Sequence, residues 1–178
     1  MDEEPWYAQL REKWKPEKVR LLLIAESAPD DRGDPSRRRF FYADRLTIDN
    51  LFRSVVLALY DVTKDDLVRT EKTDLLARLK DDGVYLIDLV PYPINGLDGA
   101  ARRQAQTQNV AGCVARGKEL VPEGVVVIKK DIFALLDRPL RAAGLPVLHE
   151  RGIPFPLGNT RAEFVDDLRD AVEKLPAR

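Results

Sequence analysis

The chain has 178 residues, 44% of them hydrophobic and 33% charged, with a formal net charge of −1. That length supports the core of one ordinary domain, and that balance belongs to a folded globular chain rather than a disordered one. A charge so near neutrality excludes a global basic field, so any nucleic-acid contact has to rest on a local patch. Cys113 is the only cysteine, which excludes an internal disulfide and a cysteine-held metal or iron–sulfur cluster within one chain. The acidic start, MDEEPWYAQL, lacks the basic and apolar regions of a signal peptide, and the longest apolar runs are too short to cross a bilayer. The expectation is a cytoplasmic, monomeric protein of one domain spanning 1–178, with no membrane contact.

In chain order, the first predicted element is a helix in EEPWYAQLREKW, where Trp6, Leu10 and Trp14 recur at steps of four and Pro5 suits a first turn. VRLLLIA, from Val19, is a continuous apolar run, the pattern of a strand buried on both faces. LTIDNLFRSVVLALY then sets Leu51, Val55 and Leu59 on one helical face, and TEKTDLLARLK is a further helical stretch. A second buried strand is predicted in GVYLIDLV, from Gly83, followed by a helix in RRQAQTQNVAGCVARGKEL. GVVVIKK, from Gly124, is the third strand, and DIFALLDRPLRAA is a helix with Asp131 as its N-cap. LPVLHE, from Leu145, is the fourth strand; TRAEFVDDLRDAVEKL closes the chain with an apolar stripe of Phe164, Leu168, Ala171 and Leu175. Strands alternating with helices predict an α/β fold, a three-layer sandwich with a central four-stranded parallel sheet and helices on both faces.

In open α/β sheets, ligands bind outside the carboxyl ends of the strands. Those ends carry Glu26 and Ser27 after the first run, Asp88 in the second, Lys129 and Lys130 after the third, and His149, the only histidine, after the fourth. Each has a plainer reading when taken singly. Glu26 suits a solvated strand end, Asp88 an acceptor for loop backbone, His149 a packed ring, and Lys129-Lys130 a helix entry. PSRRRFFY suits an exposed loop with core aromatics. Their shared position at one rim is what marks a site. Missing motifs narrow its chemistry: there is no G-x-G-x-x-G after a strand, no Walker-type phosphate loop, no G-x-S-x-G elbow and no zinc-deaminase signature.

The strand-end segments resemble those of the uracil-DNA glycosylase superfamily, whose fold is a four-stranded parallel sheet between helices. AESAP, Ala25 to Pro29, is similar to its first motif, a glycine, an acid or amide and a proline after strand one. Phe41 or Phe40 in RRRFFY is similar to the phenylalanine that stacks on the flipped base. GVYLIDLVPYP is similar in setting to the second motif, with Asp88 where the family carries a base-reading asparagine. VLHERGIPFPLGNT offers His149 for the third motif, then a loop with Ile153, Phe155 and Leu157. The resemblance runs from about Val19 to the last helix. The chain departs from the pattern at Ala25 in place of glycine, at Pro29 one position late, in lacking a proline after His149, in lacking cluster cysteines, and above all at Asp88. An asparagine amide donates to uracil O4 and accepts from N3–H, whereas an ionised aspartate only accepts. Asp88 is therefore protonated by desolvation, or the pocket prefers a base other than uracil, or the chain no longer reads uracil.

The resemblance implies a monofunctional DNA glycosylase that hydrolyses the N-glycosidic bond of a damaged or deaminated base in base-excision repair, with no cofactor or metal. Glu26 would stabilise the sugar cation and orient water, and His149 would stabilise the departing base. Phe41, Asp88 and Ser27 would bind a base flipped out of DNA, and Ile153, Phe155 and Leu157 would fill the vacated stack. Arg37, Arg38, Arg39 and Lys129 would neutralise phosphates. Two other readings stand beside this one. The first is a non-catalytic nucleic-acid or nucleotide binder of the same fold. The second, ranked behind it, is a Mg-dependent phosphoryl-transfer enzyme or nuclease using Glu26, Asp30, Asp31 and Asp88, since hard cations favour carboxylate oxygens.

Overall fold

Three of the four apolar runs form a parallel sheet in the order β2-β1-β3, with β1 at Leu21–Ala25, β2 at Val84–Asp88 and β3 at Gly124–Val127. The structure is a computed structural model that describes residues 5–30, 34, 39–46 and 49–177. Leu21 lies opposite Val84 on one side and Gly124 on the other, while Ala25 pairs with Asp88 and Ile24 with Val127. The strands therefore finish nearly level, and the residues that follow them reach the same edge.

The fourth run does not become a strand. It meets β3 through an isolated bridge between Val125 and Val147, and the chain touches β3's exit again between Ile128 and Ile153. The described sheet thus has three strands rather than the expected four. Pro146 has no amide hydrogen to extend the ladder before the bridge, and beyond it Val127 N donates to His149 Nε2 while Leu148 O accepts from Lys174, so no second rung forms. The Pro146 carbonyl accepts from Val125 N at 2.8 Å, and Leu148 N returns one bond to Val125 O at 3.0 Å.

Seven helices flank the strands among the described residues: α1 Pro5–Lys13, α2 Asn50–Leu59, α3 Lys64–Arg69, α4 Lys72–Asp81, α5 Gly99–Glu119, α6 Lys130–Ala142 and α7 Arg161–Val172. The chain moves one way across the sheet from β1 to β2 and the opposite way from β2 to β3. Right-handed crossovers then lay α2 to α4 on one face and α5 on the other. The packing agrees, since α7 lies on α2 while α6 lies on α5. Every residue of β1, β2 and β3 is buried, the state that two covered faces produce.

Local chemistry sets the boundaries. Asp49 caps α2 by accepting from Phe52 N at 3.0 Å, and Asp98 caps α5 by accepting from Ala101 N at 2.8 Å. Thr63 and Asp66 form a reciprocal capping box on α3, a helix the apolar pattern does not announce. The N-cap position of α6 is Lys129, and Asp131 sits inside the first turn rather than capping it. In α1 the buried residues are Tyr7 and Arg11, while Trp6 and Leu10, and Trp14 just past its end, are only half-buried. The entry to β2 needs a glycine. Gly83 has φ +74°, and a Cβ there would lie 2.7 Å from the Lys18 carbonyl oxygen.

As an edge strand, β2 exposes backbone groups on its outer side, and side chains close them. The Tyr42 hydroxyl accepts from Leu86 N at 2.6 Å and donates to Leu86 O at 3.1 Å, and Arg11 donates to the same carbonyl at 3.1 Å. No described helix is long and apolar enough to cross a membrane.

Candidate functional site

A cleft of about 640 Å³ opens at the carboxyl ends of β1 and β2. Glu26, the first residue beyond β1, lies in its wall with a mostly buried side chain. Arg102 grips the carboxylate from α5 with both arms of its guanidinium, Nε to Oε1 at 2.7 Å and a terminal nitrogen to Oε2 at 2.5 Å. Gln106, four residues on and so on the same face of α5, donates to Oε1 at 2.6 Å. Lys129, beyond β3, donates to Oε2 at 2.8 Å and also pairs with Asp131 at 3.0 Å. Burial pushes the Glu26 carboxyl up, but the hydrogen bonds from Arg102, Lys129 and Gln106 and the Lys129 charge outweigh it and hold the pKa at about 2. The group is ionised throughout the neutral range.

Lys129 reaches Glu26 from a strained backbone, with φ +95° in a region that favours glycine. Two bonds hold that conformation: its N–H donates to Ile153 O at 2.9 Å, and its carbonyl accepts from Phe133 N at 3.0 Å. Gly152 lets the neighbouring loop close on this corner, because a Cβ there would come within 2.9 Å of the Lys130 Cα.

Phe41 also lines the cleft. Its ring packs edge-on against Tyr42 at 5.1 Å and Phe52 at 5.3 Å between centroids. The segment before it is anchored twice. Lys72, itself buried, donates to Phe40 O at 3.0 Å and pairs with Asp49 at 3.4 Å, while Phe40 packs edge-on against Tyr7 at 4.9 Å. Across the cleft, Phe155 and Leu157 stand partly exposed, at 39% and 62%. Thr160 folds their turn by donating to Phe155 O at 2.7 Å.

Of the residues expected at the site, Glu26, Ser27, Phe41, Asp88, Arg39, Lys129, Phe155 and Leu157 line this cleft. Arg37 and Arg38 lie outside the described residues. Ile153 is buried and bridges to Ile128, so it does not stand beside Phe155 and Leu157. His149 is not brought to the cleft either. Its Nε2 accepts from Val127 N at 2.9 Å, its Nδ1 donates to Arg151 O at 2.8 Å, and its ring packs on Phe133. Burial lowers its pKa, and the neutral tautomer is the one that satisfies both contacts. Because the fourth run bends away after one bridge, its terminal histidine turns back onto β3 rather than out to the rim.

Asp88 is buried and ion-paired with Arg11. Its backbone carbonyl accepts from Arg116 at 2.7 Å. Arg11, Arg102, Gln106 and Asn95 escape a reading confined to strand ends. Asn95 lines the cleft and its Oδ1 accepts from Asp30 N at 2.9 Å. The signal that reveals Arg102 and Gln106 is their spacing, one helical turn apart in the helix after β2. Burial pushes the Cys113 thiol up to about 12, which removes it as a nucleophile.

Of the carboxylates considered for magnesium, the described Glu26, Asp30 and Asp88 do not gather as a ligand set. Among the described residues no three acid, histidine or cysteine side chains gather as metal ligands, and Glu26 already faces a guanidinium and an ammonium. Asp31 lies outside the described residues. No protein-family model matches the chain, and no curated protein matches it.

Proposed function

We propose that the cleft receives a nucleobase turned out of a DNA strand and hydrolyses its N-glycosidic bond, as a DNA glycosylase does. The observation that carries this reading is the Glu26 carboxylate, held ionised in a cleft walled on one side by Phe41 and rimmed by Phe155 and Leu157. Breaking the bond between C1′ and the base nitrogen leaves positive charge on the sugar and negative charge on the base. An ionised, immobile carboxylate stabilises the first and orients the water whose oxygen adds to C1′. Lys129 and Arg102 supply positive potential for the departing base, the task the family resemblance implies for His149. The base takes up a proton and an abasic sugar remains. Phe41 offers the ring against which an extruded base stacks, and Phe155 and Leu157 fill the gap it leaves. Ser27 and Asn95 present neutral polar groups to the base edge, since Asp88 is engaged by Arg11.

A second reading, binding without hydrolysis, is favoured by one specific observation. Both Glu26 oxygens accept from protein donors, and the only histidine of the chain bonds elsewhere. One experiment separates the two. Oligonucleotides carrying uracil, hypoxanthine or xanthine are incubated with the protein, then assayed for abasic sites and, in parallel, for binding. Abasic product that disappears with Glu26→Gln supports hydrolysis. Salt-sensitive binding without product from any base supports the second reading, and neither binding nor product sinks both.

A further inference from the structure

A second groove, of about 510 Å³, lies between α2, α3 and α7. It adjoins the cleft at Asn50, which lines both. The Asn50 amide oxygen accepts from Arg161 at 2.7 Å, and Arg161 directly follows Thr160 of the cleft wall. Arg53, Lys64, Arg161 and Arg169 face Asp65 and Asp166 along the groove, an excess of two positive charges. Arg169 is committed to the end of α2, donating to Leu57 O at 2.8 Å and Ala58 O at 3.4 Å. The floor is apolar, built from Leu57, Leu67 and Val165, and Val68 beside them is 75% exposed. None of the described residues that line the groove is aromatic, so it offers no platform for base stacking. Cations above an apolar floor match a chain of charged phosphates joined by less polar sugars.

We infer that this groove is a track for the sugar–phosphate backbone of the strand whose base enters the cleft, with Arg53, Lys64 and Arg161 as its phosphate ligands. The inference rests on the nucleic-acid reading of the cleft and deepens it. A strand leaving the cleft passes the turn of Phe155 and Leu157, crosses Asn50 and continues over Arg161. Contacts of this kind are indifferent to sequence and weaken as salt rises, because each neutralised phosphate releases counterions.

The test is fluorescence anisotropy of a labelled single-stranded oligothymidylate, which carries none of the uracil, hypoxanthine or xanthine of the excision assay, titrated at several salt concentrations. Wild type binds with affinity falling linearly on logarithmic axes. Lys64→Gln with Arg161→Gln lowers that slope by about 1.4, at about 0.7 per lost phosphate contact on single strands. Asp65→Asn with Asp166→Asn tightens binding, which keeps the test decisive if the first pair folds poorly. Unchanged slope and affinity in both pairs overturn the track, as does a polyglutamate peptide that competes better than DNA. Excision is scored separately on a base-bearing oligonucleotide. Charge-dependent binding without excision leaves the track standing and removes the hydrolytic reading, whereas excision with a slope unmoved by these variants does the reverse.

Discussion

Glu26 stands where a solvated carboxylate is the ordinary expectation, yet the fold surrounds it with a guanidinium, an ammonium and an amide. Its folded-state pKa of about 2 lies below the ordinary 4.5, so this ionised group stabilises the fold fully above pH 4.5 and the contribution is lost as pH falls towards 2. After allowance for solvent screening the contribution is about 1–2 kcal/mol. Urea denaturation at several pH values across that window should show Glu26→Gln losing about 1–2 kcal/mol less stability than wild type; an equal loss would mean that the carboxylate is not held down. His149 behaves in the opposite range. Its pKa is depressed by burial, with Arg141 and Lys174 adding to the effect, so an unfolded chain takes up the proton first as pH drops below 6.5. Stability therefore declines below pH 6.5 until the folded ring itself protonates. His149→Gln, whose side-chain oxygen can still accept from Val127 N, should flatten that decline and leave any excision rate unchanged. A collapse in rate with stability intact would return His149 to the chemistry. The positions of both residues after apolar runs were legible in the sequence. The direction of each side chain was not, because Glu26 depends on partners in α5 and beyond β3, and His149 on the Val127 N–H of a neighbouring strand.

At the scale of elements, the alternation of buried runs and helical stripes was enough to place β1, β2, β3 and most helices. What it missed were features that turn on single polar groups: the His149 ring taking the Val127 N–H and so limiting the fourth run to one bridge, the Thr63–Asp66 box starting α3, and Arg11 buried in α1. The β2 edge shows how such groups position the site. Tyr42 closes the Leu86 backbone and thereby seats the adjoining Phe41 in the cleft. Tyr42→Phe removes both hydrogen bonds and leaves a buried N–H unsatisfied, a loss of about 1–3 kcal/mol of unfolding free energy that a lowered urea midpoint reads out. The start of α2 is a second such point. Asp49→Ala removes a helix cap and strands the buried Lys72 ammonium, so the expected destabilisation is about 3–5 kcal/mol. Lys72→Met added to Asp49→Ala should recover part of that loss, because no unpaired charge then remains. If the double variant is no more stable than Asp49→Ala, the pair is not what holds the α2 entry.

Over the whole molecule, α1 and the strand ends act as one unit, and Asp88 is the joint. Arg11 donates to Leu86 O at 3.1 Å and pairs with Asp88, the Tyr85 hydroxyl donates to Arg11 O at 3.4 Å, and Tyr7 donates to Pro29 O at 2.8 Å. These bonds tie α1 to β2 and to the loop that leaves β1 past Glu26. From the sequence, an aspartate where the resembled family has asparagine reads as a change in how a base edge is recognised. Its pairing with Arg11 gives it a different role, in which a buried charge fixes a helix against the sheet. Arg11→Met strips that charge of its guanidinium and should destabilise the fold by about 3–5 kcal/mol, although Arg11 is not among the residues lining the cleft. Asp88→Asn alone leaves the guanidinium without its carboxylate and should also destabilise. Combining the two replaces a buried ion pair by groups that carry no charge, and the double variant should be clearly more stable than the sum of the single losses requires. A thermal-melt double-mutant cycle measures that coupling. Additive losses would show that Asp88 and Arg11 act independently, and the aspartate would then have to be explained by what enters the cleft rather than by what holds α1 in place.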